Sequence, residues 1–541
     1  MIRDYCPTGL VVPGDPGVPA GLTSTYKKAF APRIGLAYSP NFSDGLLGKV
    51  FGSNGKTSIR AGWGLFYNPM EQLVLEQFGA EPPFGSSPSF FGTFFNTPFI
   101  SQSGSVAPNG FTGILTPPKG SDPGWANYSP ILMYGDFQPH LRTQYTAQYN
   151  FSIQRELTKD LLWQINYVGS QGHRLLASHD INPGSPSTCL DIMSIAQINP
   201  ADVTDGFGNQ VSCGPTAEDN PYSVIVPNGF VSPVDHGGFH LPNGKQTPGS
   251  GQTLTFVGIR PYSSPNCNWT TGANCPTNGT PIFTDIFAED TIAASAYNSL
   301  QTMLEKRFSH GLQFQAAYTF SKSLDWASSF EETLNPFNYK KSRALSLFNS
   351  KQRFVINYVW DVPMPKYQGI KGKILDDWQI SGITQFQSGF PIRLQTQNDN
   401  ELIGSLFFFG TGAPQMTGTV PQLQNPKVYQ DGTGTPCAKG QEGCGYFYLT
   451  PGQFADPTLG QFATTPRSIC CGPGENQWDL TFSKKVSLSE AKYFQFRADI
   501  FNLFNKTQFV NPDGNFSNST FGQILQARDP RLVQFALKFY F

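Results

Sequence analysis

Strict two-residue alternation runs through most of this chain. In RTQYTAQYNFSIQREL, Tyr145, Ala147, Tyr149, Phe151 and Ile153 form one set, and Thr146, Gln148, Asn150, Ser152 and Gln154 form the other. A period of two places these sets on opposite faces of a strand. LTKD then turns the chain, and LLWQINYVGSQG resumes with Trp163, Ile165 and Tyr167 on one face, which predicts a hairpin. A second hairpin reads AYNSLQTMLEKRF, SHG, LQFQAAYTFSKSL. KQRFVINYVWDVP, WQISGITQFQSGF, NQWDLTFSKKV and YFQFRADIFNLFN repeat the pattern, as do PRIGLAYSP and KTSIRAGWGLFY near the start. The final strand, RLVQFALKFYF, alternates Val533, Phe535, Leu537, Phe539 and Phe541 with Gln534, Ala536, Lys538 and Tyr540. Eleven strands are predicted in all.

The connections sort by length. Long segments at 68–141, 173–295 and 397–475 fall on one parity, and short turns such as LTKD and SHG fall on the other. In an up-and-down arrangement all the long loops then emerge on one side. Outer-membrane barrels sort loops in this way, and soluble sandwiches have no reason to. All nine cysteines lie in the segments assigned to the long-loop side. Cys267 with Cys275 and Cys437 with Cys444 are spaced as short loop closures, which suits an oxidising compartment. The odd count leaves at least one cysteine without a partner in this chain. The predicted fold class is all-β, an antiparallel up-and-down transmembrane β-barrel with long extracellular loops. Its apolar face meets lipid and its Gln, Asn, Ser and Thr face lines a lumen. A two-sheet sandwich would share the alternation but calls for charged outer faces, which these strands lack.

Composition agrees. Charged residues are 14% of the chain, against about 25% in typical soluble domains, and aromatics are also 14%, with 46 Phe and 21 Tyr. A net charge of -1 gives no electrostatic case for a nucleic-acid partner. No apolar run approaches the ~18 residues of a membrane-spanning helix. The start, MIRDYCPTGLVVPGDPG, lacks a basic stretch followed by an apolar one, so no signal peptide is expected there.

Candidate chemistry is sparse. GSNGKTS lacks the first glycine of a phosphate loop, since Val50 stands there, and it leads into a strand. VDHGGFH brings Asp235, His236 and His240 together without a fourth metal ligand, and solvated loop polarity is the preferred reading. Glu331 and Glu332, adjacent on the segment 325–350, are read as solvated carboxylates with no catalytic role. No HExxH or GxSxG occurs. The chain is accordingly expected to be no enzyme, with no catalytic residues, no cofactor and no metal.

FQFRADIFNLFNKTQF and FGQILQARDPRLVQFALKFYF resemble the end of a TonB-dependent receptor, most closely of the Oar-like subgroup. APRIGLAYSP, GKTSIRAGWGLFY, QYNFSIQREL, YVGSQGHRL and DWQISGITQFQSGFP fit the same group, so the resemblance covers nearly the whole chain. It implies uptake of a large scarce substrate (siderophore, glycan or peptide) across the outer membrane, captured by the long loops and driven by inner-membrane energy. It also implies that Phe535, Leu537, Phe539 and Phe541 form the signal read by the barrel-assembly machinery, whose physical basis is an apolar strand edge open to strand addition. The implied partners are outer-membrane lipid, that machinery, TonB and an unknown extracellular substrate. A complete receptor of this kind carries a signal peptide, a TonB box, a plug domain and about 22 strands. None of the first three is recognised here, so residues 1–541 are expected to be the C-terminal part of a barrel that does not fold stably alone. The rival readings are a passive porin-like channel, a surface adhesion or export-linked barrel, and a secreted glycan-binding β-sandwich.

Overall fold

Alternating stretches become paired strands throughout a computed structural model that describes residues 15–69, 131–187, 283–403 and 412–541, less positions 22, 54, 139–140, 330–331, 366, 398 and 490–491, together with 93–94, 96–101, 190, 221–225, 253–257, 260 and 262. Eleven strands follow one another in a single path: β1 Arg33–Tyr38, β2 Thr57–Asn68, β3 Gln144–Thr158, β4 Leu161–Asp180, β5 Phe283–Ser309, β6 Leu312–Asp325, β7 Gln352–Asp361, β8 Trp378–Gln387, β9 Glu475–Ser487, β10 Tyr493–Phe501 and β11 Leu532–Tyr540. Each is antiparallel to its chain neighbours. Among the described residues the path stays open, with β1 and β11 as its edges.

The register separates two faces. Directly paired residues lie on the same face. One row runs Arg60, Ser152, Asn166, Gln301, Thr319, Arg353, Gln387, Glu475 across eight strands. The adjacent row, on the other face, runs Ile59, Ile153, Ile165, Thr302, Tyr318, Phe354, Phe386. On the apolar face Arg155 marks one end and Lys322, paired with Asn298, the other. From the level of Arg155 to that of Lys322, β5 presents Leu304, Thr302 and Leu300, and β6 presents Ala316, Tyr318 and Phe320. The band between these charges is uncharged, as a face turned to hydrocarbon requires. At its upper margin the hydroxyls of Tyr149 and Tyr167 both donate to Asn298 Oδ1, at 2.9 and 2.8 Å. Tyr149 can lie flat there because Gly169 is opposite: a Cβ at Gly169 would sit 2.1 Å from Tyr149 Cε2.

The short connections are tight. His310 and Gly311 have φ of 51° and 75°, the primed geometry that a two-residue hairpin needs. In the turn before β4, Asp160 accepts from the Ser309 hydroxyl, from Thr158 Oγ1 at 2.7 Å and from Lys306 Nζ at 3.0 Å. These bonds, led by that from Ser309, hold its carboxyl well below the usual range. Two other connections on this side contain short helices absent from the sequence reading, α1 Gly45–Phe51 and α2 Gly369–Leu375.

Strand also runs into segments expected to be loop. β4 continues to Asp180 and β5 begins at Phe283, so the segment bounded at 173 and 295 is shorter at both ends. Ile131–Phe137, inside the segment 68–141, pairs in parallel with the start of β5. These extensions do not alternate because other chain segments cover both faces. Ala177, Ser178, His179 and Asp180 are all buried, as are Phe283, Ile286, Phe287 and Ala288. No helix among the described residues is long and apolar enough to cross a membrane.

Candidate functional site

Above the strand tops, the third long segment folds back on the sheet with its own core. Ile392, Leu394, Ala413, Met416, Leu449, Phe454, Ile469 and Phe521 are buried together. Short pairs stitch this cap: Ile392–Arg393 with Ser468–Ile469, Gln415–Met416 with Phe454–Ala455, and Gln430–Asp431 with Cys444–Gly445. Phe521 comes from the connection between β10 and β11, so two long-side connections share one core. Tyr448 packs against it and donates to Cys471 O at 2.9 Å, and burial raises its phenol above the usual value.

A buried ion network ties the cap to the sheet. Arg467 places Nη1 at 3.0 and 2.9 Å from the two oxygens of Glu332 and pairs through Nη2 with Asp325, the last residue of β6. Arg393 pairs with the same Glu332. Arg467 Nε donates to Ser342 O at 3.0 Å, and Ser342 Oγ accepts from Asn335 N at 2.9 Å. These bonds fix the 3-10 turn Tyr339–Ser342. Glu332 therefore departs from its reading as a solvated carboxylate: its side chain is 4% exposed and doubly paired. Buried charge requires such pairing.

The fixed turn carries cations that face water. Lys340, Lys341 and Arg343 are exposed. Among the described residues none of the three has a side-chain hydrogen bond or ion pair. Two cavities flank the turn. One, of about 50 Å³, is lined by Thr333, Asn335, Lys341, Thr465 and Phe462. The other, of about 160 Å³, is lined by Gln171, His173, Ser295, Trp326 and Arg343. Trp326 is held by the cluster of Ala177, Ala293 and Leu334 beneath it. The second cavity lies on the face of the sheet that carries Tyr145 and Ala147, since Gln171 and His173 pair with them. Cations, hydroxyls and an aromatic wall at the strand tops can contact a hydroxylated or anionic group.

A second buried network anchors the middle long segment. Arg260 Nη1 lies 2.7 Å from Asp285 and 3.4 Å from Asp180, and donates to Asn182 O at 2.8 Å. Deeper in the cap, Glu401 is 2% exposed and its Oε1 has no hydrogen-bond partner among the described residues. Burial first, then the neighbouring Asp399 and Asp456, push its carboxyl up to about 8.

Of the residues singled out from sequence, Phe535, Leu537 and Phe539 lie on β11, paired with Ala498, Phe496 and Phe494 of β10 on the apolar face. Phe541 follows the strand, 91% exposed, with its ring 5.8 Å from that of Phe539. Cys437 and Cys444 are bonded to each other, with Cα atoms 6.5 Å apart, inside the usual span. Cys470 and Cys471 are also bonded to each other. Cys267, Cys275, Asp235, His236, His240 and Glu331 lie outside the described residues. No group of three or more His, Cys, Asp or Glu placed to hold a metal occurs among the described residues. The sequence reading missed Arg393, Arg467 and the cationic turn. The run YKKSR was a visible signal for the last of these.

A model of the outer membrane beta barrel domain family matches residues 3–534. No curated protein sequence matches the chain. Among solved structures the chain is similar to the outer membrane transporter YddB from Escherichia coli, at 9% identity and a TM-score of 0.37, covering 90% of this chain and 39% of that one. It is similar to the siderophore receptor PirA from Acinetobacter baumannii at 8% and 0.36, covering 94% and 41%. For the ferric citrate transporter FecA the values are 7% and 0.31, covering 94% and 37%. The chain thus spans well under half the length of each of these structures.

Proposed function

The chain belongs to the outer membrane beta barrel domain family, and from that premise we propose that it forms part of the wall and the external capture surface of a TonB-dependent transporter. It resides in the outer membrane, with its apolar strand face in lipid and its polar face turned to the lumen. The observation that carries the reading is the cap. Long-side connections fold over the strand tops and are locked by Arg467, Arg393, Glu332 and Asp325. The lock sets Lys341 and Arg343 beside two cavities at the strand tops, the Lys341 one under the cap and the Arg343 one on the side of the sheet that carries Tyr145 and Ala147. A passive pore gains nothing from an ordered, locked cap, whereas capture of a scarce solute requires preformed contacts. The captured substrate is a siderophore, a glycan or a peptide, and energy reaches the barrel through TonB. In the Oar-like reading the β11 residues Phe535, Leu537, Phe539 and Phe541 also serve the assembly machinery.

The test is uptake by cells carrying or lacking the gene, with ferric siderophores, oligosaccharides and peptides supplied at limiting concentration. One class is expected to enter at least tenfold more slowly without the gene, and a protonophore is expected to abolish the difference. Uptake that survives the protonophore identifies a passive channel instead. Surface binding without uptake identifies an adhesion protein.

A further inference from the structure

The two short helices lie at the end of the sheet opposite the cap, and they repeat one another. α1 reads GLLGKVF and α2 reads GIKGKIL. Each opens on a glycine with φ of 68°, Gly45 and Gly369. Each carries a second glycine three residues on, packed against the backbone five residues earlier. A Cβ at Gly48 would lie 2.9 Å from Ser43 C, and one at Gly372 would lie 2.1 Å from Tyr367 O. Each then has a lysine, Lys49 or Lys373. The helices therefore sit down on their connections in the same way, with the glycines inward.

What they turn outward is apolar. Leu46 and Val50 are 76% and 51% exposed, and Ile370 and Ile374, at the matching positions, are 77% and 60% exposed. Residues four apart share a helix face, so each helix shows an aliphatic pair to its surroundings. A seven-residue helix in water gains nothing from this, and its length makes it marginal on its own.

Both helices are tied to the lipid-facing side of the sheet. Arg155, on the apolar face and paired with Trp163, donates Nη2 to Lys49 O at 2.9 Å. Trp378, at the start of β8 on that same face, donates Nε1 to Ile374 O at 2.9 Å. Each bond joins the last turn of a helix to a side chain at the margin of the hydrocarbon band. That is the level where aromatic girdles meet headgroups.

We propose that α1 and α2 are interfacial anchors that lie in the headgroup layer of the leaflet on the short-turn side. Leu46, Val50, Ile370 and Ile374 dip into the acyl boundary, while Lys49 and Lys373 meet lipid phosphates. Three observations select lipid as the occupant: the exposed aliphatic pairs continue the sheet's own lipid-facing surface, the charges within both helices, Lys49, Lys371 and Lys373, are cationic, and two connections separated along the chain share the arrangement. A helix with an apolar face and lysines beside it binds such an interface by this combination.

The test places p-benzoylphenylalanine singly at positions 46 and 370 of the full protein in its own outer membrane, with position 300 on the strand face as a lipid-facing standard and position 433 in the cap as a water-facing one. After irradiation, mass spectrometry reads the adducts. Phospholipid adducts at 46 and 370, at yields within about threefold of position 300, are expected. The Lys49→Gln, Lys373→Gln double variant is expected to lower the share of anionic phospholipid among those adducts at least threefold without changing assembly. Adducts to a periplasmic protein or to a second copy of the chain at 46 and 370 overturn the proposal. So does an absence of adducts there while position 300 gives lipid.

Discussion

Glu401 shows how far one side chain can depart from its ordinary chemistry. Its folded value of about 8 stands above the ordinary 4.5, so the folded cap holds a proton that the unfolded chain releases. The contribution of this group to stability is present in full below pH 4.5 and is lost as pH rises towards and through 8. The loss has an upper limit of roughly 4–5 kcal/mol. Thermal unfolding of the cap, followed by limited proteolysis from pH 5 to pH 9, is expected to show this decline. Glu401→Gln is expected to flatten it, since the amide carries no charge at either pH. None of this was legible in the sequence, because burial is not a local property. Glu332 makes the same point from the opposite direction. Two adjacent carboxylates on a loop look solvated, but the partners of Glu332 lie 61 and 135 positions away.

At the scale of elements, the strands were legible because sheet geometry forces a two-residue period wherever one face meets lipid and the other water. All eleven strands of the main path were read. The reading failed where that contrast fails. The strand stretches 177–180 and 285–289 are covered on both faces and show no period. The helices α1 and α2 span only two turns, too few for a 3.6-residue period to stand out. The cross-strand fit of Gly169 beneath Tyr149 also leaves no pattern in the chain. Its consequence is measurable: Gly169→Val must displace the Tyr149 ring and break its 2.9 Å bond to Asn298. A cost of about 1–3 kcal/mol is expected, read as a lower urea midpoint for the protein folded in lipid vesicles.

For the molecule as a whole, the cap and the sheet are distinct bodies of packing joined by a few charges. The cap has a buried aliphatic core and a disulfide at Cys437–Cys444. The sheet has continuous backbone pairing and lipid for its apolar face. Arg467→Met leaves only the Arg393–Glu332 pair of this network and strands Asp325 in a buried position. A loss of about 3–5 kcal/mol is expected for breaking a pair of this kind. It is expected to fall on the cap, as at least 100-fold faster proteolysis within 393–474, while the strands keep their protection from hydrogen exchange. The candidate site was legible only in outline. Loop sorting indicated the side on which capture is proposed. The exposed cations there had to be found in the fold, because the arginine that orders their turn comes from a segment 125 positions further on.

The open path carries one further consequence, and it concerns parity. β1 is first and β11 is eleventh in a path where direction alternates at every step. The chain therefore runs the same way along both edges. Joining those edges directly would create a parallel seam in an otherwise antiparallel wall. An upright second copy offers edges of the same sense and would leave two such seams. An inverted copy would restore the alternation but would carry its cap to the opposite side of the membrane. An antiparallel closure that keeps all caps on one side, with no backbone edge left in lipid, must insert an odd number of strands between β11 and β1.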